Sequence, residues 1–402
     1  MMQSTSRSMK QVISTENKPI KLWLDDLEAG ALEQAKHLAN LPFVFRHIVL
    51  MPDAHQGYGM PIGGVLATEG VVIPNAVGVD IGCGMCAVKT SVQHIERDAL
   101  KKIMGDVRKR IPVGFNHHKK AQDESFMPDS PSDGLDKLKI VRGEYRSTLK
   151  QLGTLGGGNH FLEIQQGSDG FVWLMIHSGS RNLGYKVAHH YNKLAIELNQ
   201  KWHTSVPEKW QLAFFSLDSQ EGQDYLQEMQ YCVDFALANR RLMMQRVQEV
   251  FVEVVGEIAG EVQFAEMINI AHNYAAMEHH FRTDVMIHRK GATKASAGQL
   301  GIIPGSQGTA SYIVQGRGEP ESFMSCSHGA GRRMGRKQAL KDLDLAAEKE
   351  RLDAIGVIHG IRHVKDLDEA PGAYKDISQV MGNQEDLVDI VVELRPLAVI
   401  KG

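Results

Sequence analysis

The residues of this chain that can do chemistry stand in short, glycine-set motifs scattered from residue 53 to residue 401 of 402. One site built from them must collect segments from almost the whole length. No internal repeat, low-complexity tract or proline-rich linker divides the chain. The expectation is therefore one interwoven α+β domain over residues 1–402, a single large mixed unit with β-sheets flanked by helices. Eight glycines fall between Gly57 and Gly84, too many for a helix and suited to tight turns and close backbone approach.

Hydrophobic patterning supplies the rest of the outline. Residues 43–50, 85–90, 160–165, 171–177, 284–289 and 310–316 read as strands, and a terminal strand ends VVELRPLAVIKG. Helices are expected over 95–110, 136–151, about 185–200 and near 337–350. The longest spans 222–259, with a break expected near the pair Arg240–Arg241. The polar stretch 121–135 reads as an exposed loop.

Composition excludes several classes. With 43% hydrophobic and 23% charged residues the chain is neither disordered nor collagen-like. Four cysteines are too few for a secreted disulfide framework. A net charge of −3 gives no global basic field toward nucleic acid. The start has no apolar signal region, and no apolar run approaches the ~20 residues of a membrane span. A soluble, reducing, cytoplasmic setting is expected. Histidine stands out: 18 of them, against 9 tyrosines.

Met51-Pro-Asp53-Ala-His55 leaves a strand, so Asp53 and His55 point the same way, as a carboxylate–imidazole pair or as metal ligands. In Gly78-Val-Asp80-Ile-Gly82-Cys83-Gly84-Met85-Cys86, the glycines free Asp80 and Cys83 to turn toward one point. A carboxylate oxygen with a thiolate sulfur suits a borderline divalent metal such as zinc, iron or manganese. A redox Cys83–Cys86 pair competes, but Cys86 opens an apolar strand and reads as a small buried hydrophobe. The run from Gly153 to Glu163, with Gly156-Gly-Gly-Asn159-His160, matches neither standard nucleotide loop; backbone amides could cradle phosphate, Asn159 and Glu163 could bond a base or ribose, and His160 could ligate metal.

In Trp173-Leu-Met-Ile-His177-Ser-Gly-Ser-Arg181, a strand ends at His177 with Arg181 as a partner for phosphate or carboxylate. Further motifs are Ala271-His272-Asn-Tyr, His288-Arg289-Lys-Gly-Ala, Pro304-Gly-Ser306 through Ser311, and Ser325-Cys-Ser-His328-Gly-Ala-Gly-Arg332. His37, His94, His189, His190, His203, His279 and His280 read as ordinary surface or satisfied residues, and His55 and His288 stay undecided. His160, His177, His272 and His328 sit among small or polar residues at element ends. With Asp80 and Cys83 they point to a polynuclear metal site.

These motifs, D-I-G-C-G-M, L-G-x-G-N-H-F-x-E, I-H-S-G-S-R, H-N-Y, R-K-G-A, P-G-S, S-H-G-A-G-R, A-Y-K-D-I and a terminal K-G, resemble in order the RtcB family of RNA ligases, from about residue 45 to residue 402. The resemblance implies an RtcB-like fold and a manganese-dependent, GTP-driven ligase. Such an enzyme joins an RNA 2′,3′-cyclic phosphate or 3′-phosphate to a 5′-hydroxyl, in RNA repair or tRNA splicing. By motif, Asp80, Cys83, His160, His177 and His272 resemble the ligands of two manganese ions bridged by the thiolate. His328 resembles the histidine that takes up GMP. Asn159, Glu163, Ser306, Ser311, Ala330, Gly331, Tyr374 and Lys401 resemble the guanosine-binding positions. Some members need an activating protein for multiple turnovers; a monomer is expected, and no membrane. Two departures, Gln307 where methionine is common and Gly335 where serine is common, bear on the guanine pocket and substrate choice.

The chemistry is self-consistent. A nucleophilic imidazole must be neutral with one lone pair free, so its other nitrogen needs an acceptor; Asp53 is the candidate. Thiolate ligation of manganese is unusual on softness grounds, and the residues alone would permit zinc. Basic clusters at Arg108–Arg110, Lys119–Lys120, Arg240–Arg241 with Arg246, Arg289–Lys290 and Arg332–Arg336 read as solvated charge, except that Arg181, Arg289 and Arg332 adjoin site motifs and are candidates for RNA phosphate. Two other classes remain: a dinuclear metal-dependent phosphoesterase acting without nucleotide, and a non-catalytic RNA-binding factor that keeps the fold.

Overall fold

The structure, a computed structural model, describes residues 9–129 and 134–402. The start of the chain before residue 9 and part of the expected loop 121–135 lie outside the described residues. Two sheets carry the α+β architecture. The first has six strands in the order Gln11–Ile13, Ile20–Leu22, Val44–His55, Ile62–Thr68, Thr283–Lys290, Asn273–His280. The second has seven: Ile268–Ala271, Gly84–Lys89, Val172–Ser178, Phe161–Gly167, Val388–Lys401, Ser311–Gly316, Leu300–Ile303. The pairings are antiparallel except where Ile20–Leu22 runs parallel to Val44–His55.

His272 is the crossing point between the sheets. Ile268–Ala271 pairs with Gly84–Lys89 in the seven-stranded sheet, while Asn273–His280 pairs with Thr283–Lys290 in the six-stranded one. The chain changes sheets at a single residue. The site described below lies at that seam.

Helix Gln220–Ala259 runs unbroken for 40 residues. Its start is capped by Ser219, whose Oγ accepts the Gly222 amide at 3.1 Å. The break expected at Arg240–Arg241 does not occur, because Arg240 turns inward and is fully buried while Arg241 faces solvent. The first half of the helix packs Tyr225, Met229, Val233 and Leu242 against Leu183, Val187 and Tyr191 of helix Arg181–Lys201. The second half packs Met243, Val247, Val250 and Phe251 against Leu100, Ile103 and Val107 of helix Arg97–Arg110 and against sheet residues Val88, Leu174 and Ile176.

Three other expectations change. The glycine-rich stretch contains a strand, Ile62–Thr68, whose Val65, Leu66 and Ala67 are buried; apolar burial in the middle of a sheet overrides its glycines. The helix near 337–350 is two, Arg336–Asp342 and Leu345–Ala354, because Asp344 starts the second by accepting the Ala347 amide at 2.8 Å. The A-H-N-Y motif, read only as a ligand motif, is flanked by two strands. No helix among the described residues is long and apolar enough to cross a membrane.

Arg240 joins the long helix to the second sheet. Its Nη1 donates to the carbonyls of Gly82 at 3.0 Å and Ser178 at 2.8 Å, its Nη2 to Ile270 at 3.2 Å, and its Nε to Asn269 Oδ1 at 2.8 Å. Replacing it strands three buried carbonyls, each costing about 1–3 kcal/mol. Arg240→Met should lower the unfolding free energy by at least about 3 kcal/mol in urea titration, and Arg240→Lys should not restore it, lacking the planar fork. Arg241→Ala should stay within about 0.5 kcal/mol of the parent. Equal effects at 240 and 241 would refute the buried-clamp account.

Candidate metal and nucleotide site

The ends of adjacent strands bring together a candidate metal cluster. Gly84 pairs with both Ser178 and Ala271, and His177 lies opposite both Met85 and Phe161. The residues just beyond those pairs, Cys83, His272 and His160, therefore fall beside His177 at one edge of the sheet. A backbone bond from the His272 amide to the Cys83 carbonyl, 2.8 Å, fixes two of them to each other. Asp80 enters from the preceding turn, and Gly179 lets it approach: a Cβ there would strike the Asp80 carboxylate.

Two triads result, Asp80–Cys83–His160 and Cys83–His177–His272, each with its three donor atoms within 4.8 Å of one another. Cys83 Sγ is common to both, 3.4 Å from His160 Nε2 and 3.3 Å from His177 Nε2. His177 Nε2 lies 3.4 Å from His272 Nε2, and His160 Nε2 lies 3.0 Å from Asp80 Oδ2. His177 Nδ1 donates to the Asn159 carbonyl at 3.2 Å, which leaves the Nε2 lone pair facing the cluster. Burial pushes His177 and His272 well below the ordinary imidazole range, so both rings are neutral and able to ligate. Burial and then the Asp80 carboxylate push the Cys83 thiol well up. A bound cation would offset this cost and draw off the proton. One oxygen, one sulfur and three nitrogens around a shared thiolate fit two divalent ions. The Cys83–Cys86 alternative has no geometry behind it: Cys86 points to the long helix, its Sγ 3.9 Å from the Arg240 carbonyl, and burial pushes its thiol up to about 12.

His328 follows the short strand Ser325–Ser327 and packs its ring edge-on to His272, centroids 4.8 Å apart. Its Nδ1 lies 2.6 Å from Asp53 Oδ2, and the same oxygen accepts the amides of His328 at 3.1 Å and Gly329 at 3.2 Å. Asp53 is wholly buried. Burial alone would raise its carboxyl, but His328, with His55 and Lys375 behind it, holds it below the ordinary range. Gly331 closes over this carboxylate in a left-handed conformation, φ +73°, where a Cβ would collide with the Asp53 backbone. His55 reaches the same cavity, its Nδ1 donating to the Asp53 carbonyl at 3.0 Å. His288 does not: its ring is buried between the Ile73 amide and the Leu66 carbonyl.

A cavity of about 220 Å³ opens beside His328. Seven of the eight residues expected to hold a nucleotide line it: Asn159, Glu163, Ser306, Ala330, Gly331, Tyr374 and Lys401. Ser311 does not. Its buried hydroxyl stands behind the wall, accepting the Gly305 amide at 3.1 Å and Gln165 Nε2 at 3.2 Å. Glu369, which the sequence reading passed over, is the hub of the cavity. Its carboxylate takes Arg336 at 3.0 Å, Arg332 at 3.2 Å, Lys401 at 3.4 Å and the Tyr374 hydroxyl. The only signal was its place five residues before Tyr374.

Of the arginines expected at RNA phosphate, Arg181 lies beside the metal cluster, Nη1 3.4 Å from His160 Nδ1. Arg332 forms part of the cavity wall, its donors engaged by Glu369 and the carbonyls of Asp368 and Met334. Arg289 is a correction. It is wholly buried and bonded to Glu278 at 2.5 and 3.1 Å, Tyr274, Ser325 and the Phe323 carbonyl, so no donor is left for RNA. Arg240 likewise leaves the set of solvated basic clusters.

The tRNA-splicing ligase RtcB family model matches residues 34–402. This chain belongs to the RtcB family. The RNA-splicing ligase RtcB of Escherichia coli K12 is 37% identical to it over 409 residues, covering 98% of this chain and 99% of that protein. The tRNA-splicing ligase RtcB of Thermococcus kodakarensis is 32% identical over 438 residues, covering 92% and 91%. That of Nanoarchaeum equitans is 31% identical over 465 residues, covering 96% of each.

Glu163 gives this family member a pH signature. Burial raises its carboxyl to about 8, against 4.5 for a free glutamate, with Gln165 and Lys401 only partly offsetting. Unfolded chains release that proton above pH 4.5 while the folded chain keeps it to about pH 8, so the native state loses stability as pH rises through that window. Glutamine cannot ionise. The unfolding free energy of Glu163→Gln relative to the parent, read by urea titration, should climb steadily from about pH 5 to pH 8, by up to about 1.4 kcal/mol per pH unit. A difference that is flat with pH would show that Glu163 ionises normally.

Proposed function

We propose that the chain is an RNA ligase that joins 2′,3′-cyclic phosphate or 3′-phosphate RNA ends to 5′-hydroxyl ends, driven by GTP and two manganese ions, with His328 as the nucleophile. The observation that carries this reading is the placement of His328, with Nδ1 against a buried, ionised Asp53 and its ring against His272 of the metal cluster. Membership of a family whose relatives are called RNA- and tRNA-splicing ligases supports it.

Asp53 holds the proton on Nδ1, which leaves the Nε2 lone pair free and stabilises positive charge as the ring reacts. Nε2 attacks the α-phosphorus of GTP; a P–N bond forms as the bond to pyrophosphate breaks. Lys401, Glu163, Ser306 and Tyr374 hold the guanosine in the adjoining cavity. GMP then passes to the RNA 3′-phosphate, freeing His328 and forming a phosphoanhydride. The 5′-hydroxyl attacks the activated phosphorus and releases GMP. A cyclic end is first opened by water to a 3′-phosphate. Bound at Asp80, Cys83, His160, His177 and His272, the two metal ions supply charge neutralisation on the attacked phosphates. Arg181, beside His160, is placed to steady the RNA phosphate.

Incubation with α-labelled GTP and manganese should leave an acid-labile label on the protein. His328→Ala should abolish it, and Asp53→Asn should slow it at least about a hundredfold by presenting the wrong tautomer. Cys83→Ala should lower metal content, read by elemental analysis, together with the label. An unlabelled parent that cleaves phosphate esters with metal alone would replace this reading with the phosphoesterase one.

A further inference from the structure

Phe115 is 99% exposed, a whole phenyl ring in water. A ring of this size gains about 1.5–3 kcal/mol from burial, and it is the most exposed of the large apolar side chains among the described residues. The segment that carries it is pinned. Val113 forms a bridge with Gly156, the Gly114 amide donates to the Gly156 carbonyl at 2.8 Å, and both the amide and Nδ2 of Asn116 donate to the Val113 carbonyl at 3.2 Å. Just beyond, the His118 amide donates to the Lys150 carbonyl at 2.9 Å, and its ring is held by Arg246 at 2.9 Å.

The placement relative to the metal cluster is direct. Arg181 Nη2 donates to the Gly114 carbonyl at 3.3 Å, while Nη1 of the same guanidinium lies 3.4 Å from the ligand His160. One side chain therefore spans from a metal ligand to the residue before Phe115. The residues that follow, Asn116, His117, Lys119 and Lys120, are exposed, polar or basic. A rigid aromatic ring beside a phosphate-handling centre, followed by two free lysines, has the chemistry of a single-stranded nucleic-acid platform: a base stacks on the ring and cations take the backbone.

We propose that Phe115 stacks a nucleobase close to one RNA end held at the metal cluster, with Lys119 and Lys120 on the adjoining phosphates. This rests on the ligase reading above. The charge of the neighbouring residues favours RNA over an apolar protein partner.

The test uses the full-length, manganese-loaded protein and two fluorescent RNA oligonucleotides, one ending in 3′-phosphate and one beginning with 5′-hydroxyl. For one of the two, Phe115→Ala should weaken binding roughly tenfold, within the range of a lost stacked base, whereas Phe115→Tyr and Phe115→Trp should retain it. Labelling by GTP should be unchanged in all three. A series of oligonucleotides with single abasic sites should contain one position that weakens the parent as much as Phe115→Ala does, and that position should cause no further loss in the variant. Unchanged affinity of Phe115→Ala for both RNAs overturns the platform, as does a loss that no abasic position reproduces. If the parent neither takes label from GTP nor binds RNA, the ligase reading fails and the platform with it. If the parent labels and ligates while Phe115→Ala matches it, only the platform fails.

Discussion

The fold depends on one buried guanidinium. Arg240 satisfies the carbonyls of Gly82, Ser178 and Ile270, which end or precede the three strands from which Cys83, His177 and His272 emerge. Its neighbour Asn239, also buried, accepts the Gly153 and Thr154 amides at 2.7 and 3.1 Å and donates to the Thr154 and Gly179 carbonyls at 3.2 and 3.1 Å. The same two consecutive residues of the long helix thus brace the glycine run before His160 and the turn that carries Asp80. Strand ends are where sheet hydrogen bonding runs out and buried backbone groups need other partners. Here those partners come from the helix, and the metal-ligating side chains occupy the space that is left.

Glu163 and Asp53, two buried carboxyls on either side of His328 and its cavity, show how neighbours set charge where burial is similar. Glu163 is held near neutral by desolvation, with Gln165 as its nearest polar partner. Asp53, no less buried, stays ionised because an imidazole and two backbone amides point at one of its oxygens. The contrast suits their places. In the proposed reaction a carboxylate beside His328 would stabilise a ring that gains charge, while a protonated glutamate in the cavity would avoid an unpaired anion.

The candidate ligand residues stood out in the sequence because they lie at changes of pattern, where an apolar strand gives way to Gly, Asn or Ser. His177 after Trp173–Ile176 is the clearest case, and His160 before Phe161 its mirror. What the residues alone could not reveal was inter-strand pairing, which is long-range: nothing local says that Gly84 lies against both Ser178 and Ala271. The same limit hid Glu369, whose role comes from Arg332, Arg336 and Lys401 meeting around it. Arg240 and Arg289 misread for a different reason. Charge in sequence is taken as solvated by default, and only tertiary structure supplies the carbonyls or the Glu278 carboxylate that make burial tolerable.

That misreading alters the electrostatic account of RNA binding. A net charge of −3 already spoke against bulk attraction, and the two arginines spent inside the fold reduce the external basic charge further. Several of the cations beside the site are already engaged: Arg332, Arg336 and Lys401 pair with Glu369, and Arg181 bonds Thr154 and the Gly114 carbonyl, while Lys119 and Lys120 beyond Phe115 are exposed. In the ligase proposed above, binding of an RNA end would draw on local contacts, phosphate at the candidate metal cluster and a base on the exposed Phe115 ring, more than on bulk charge.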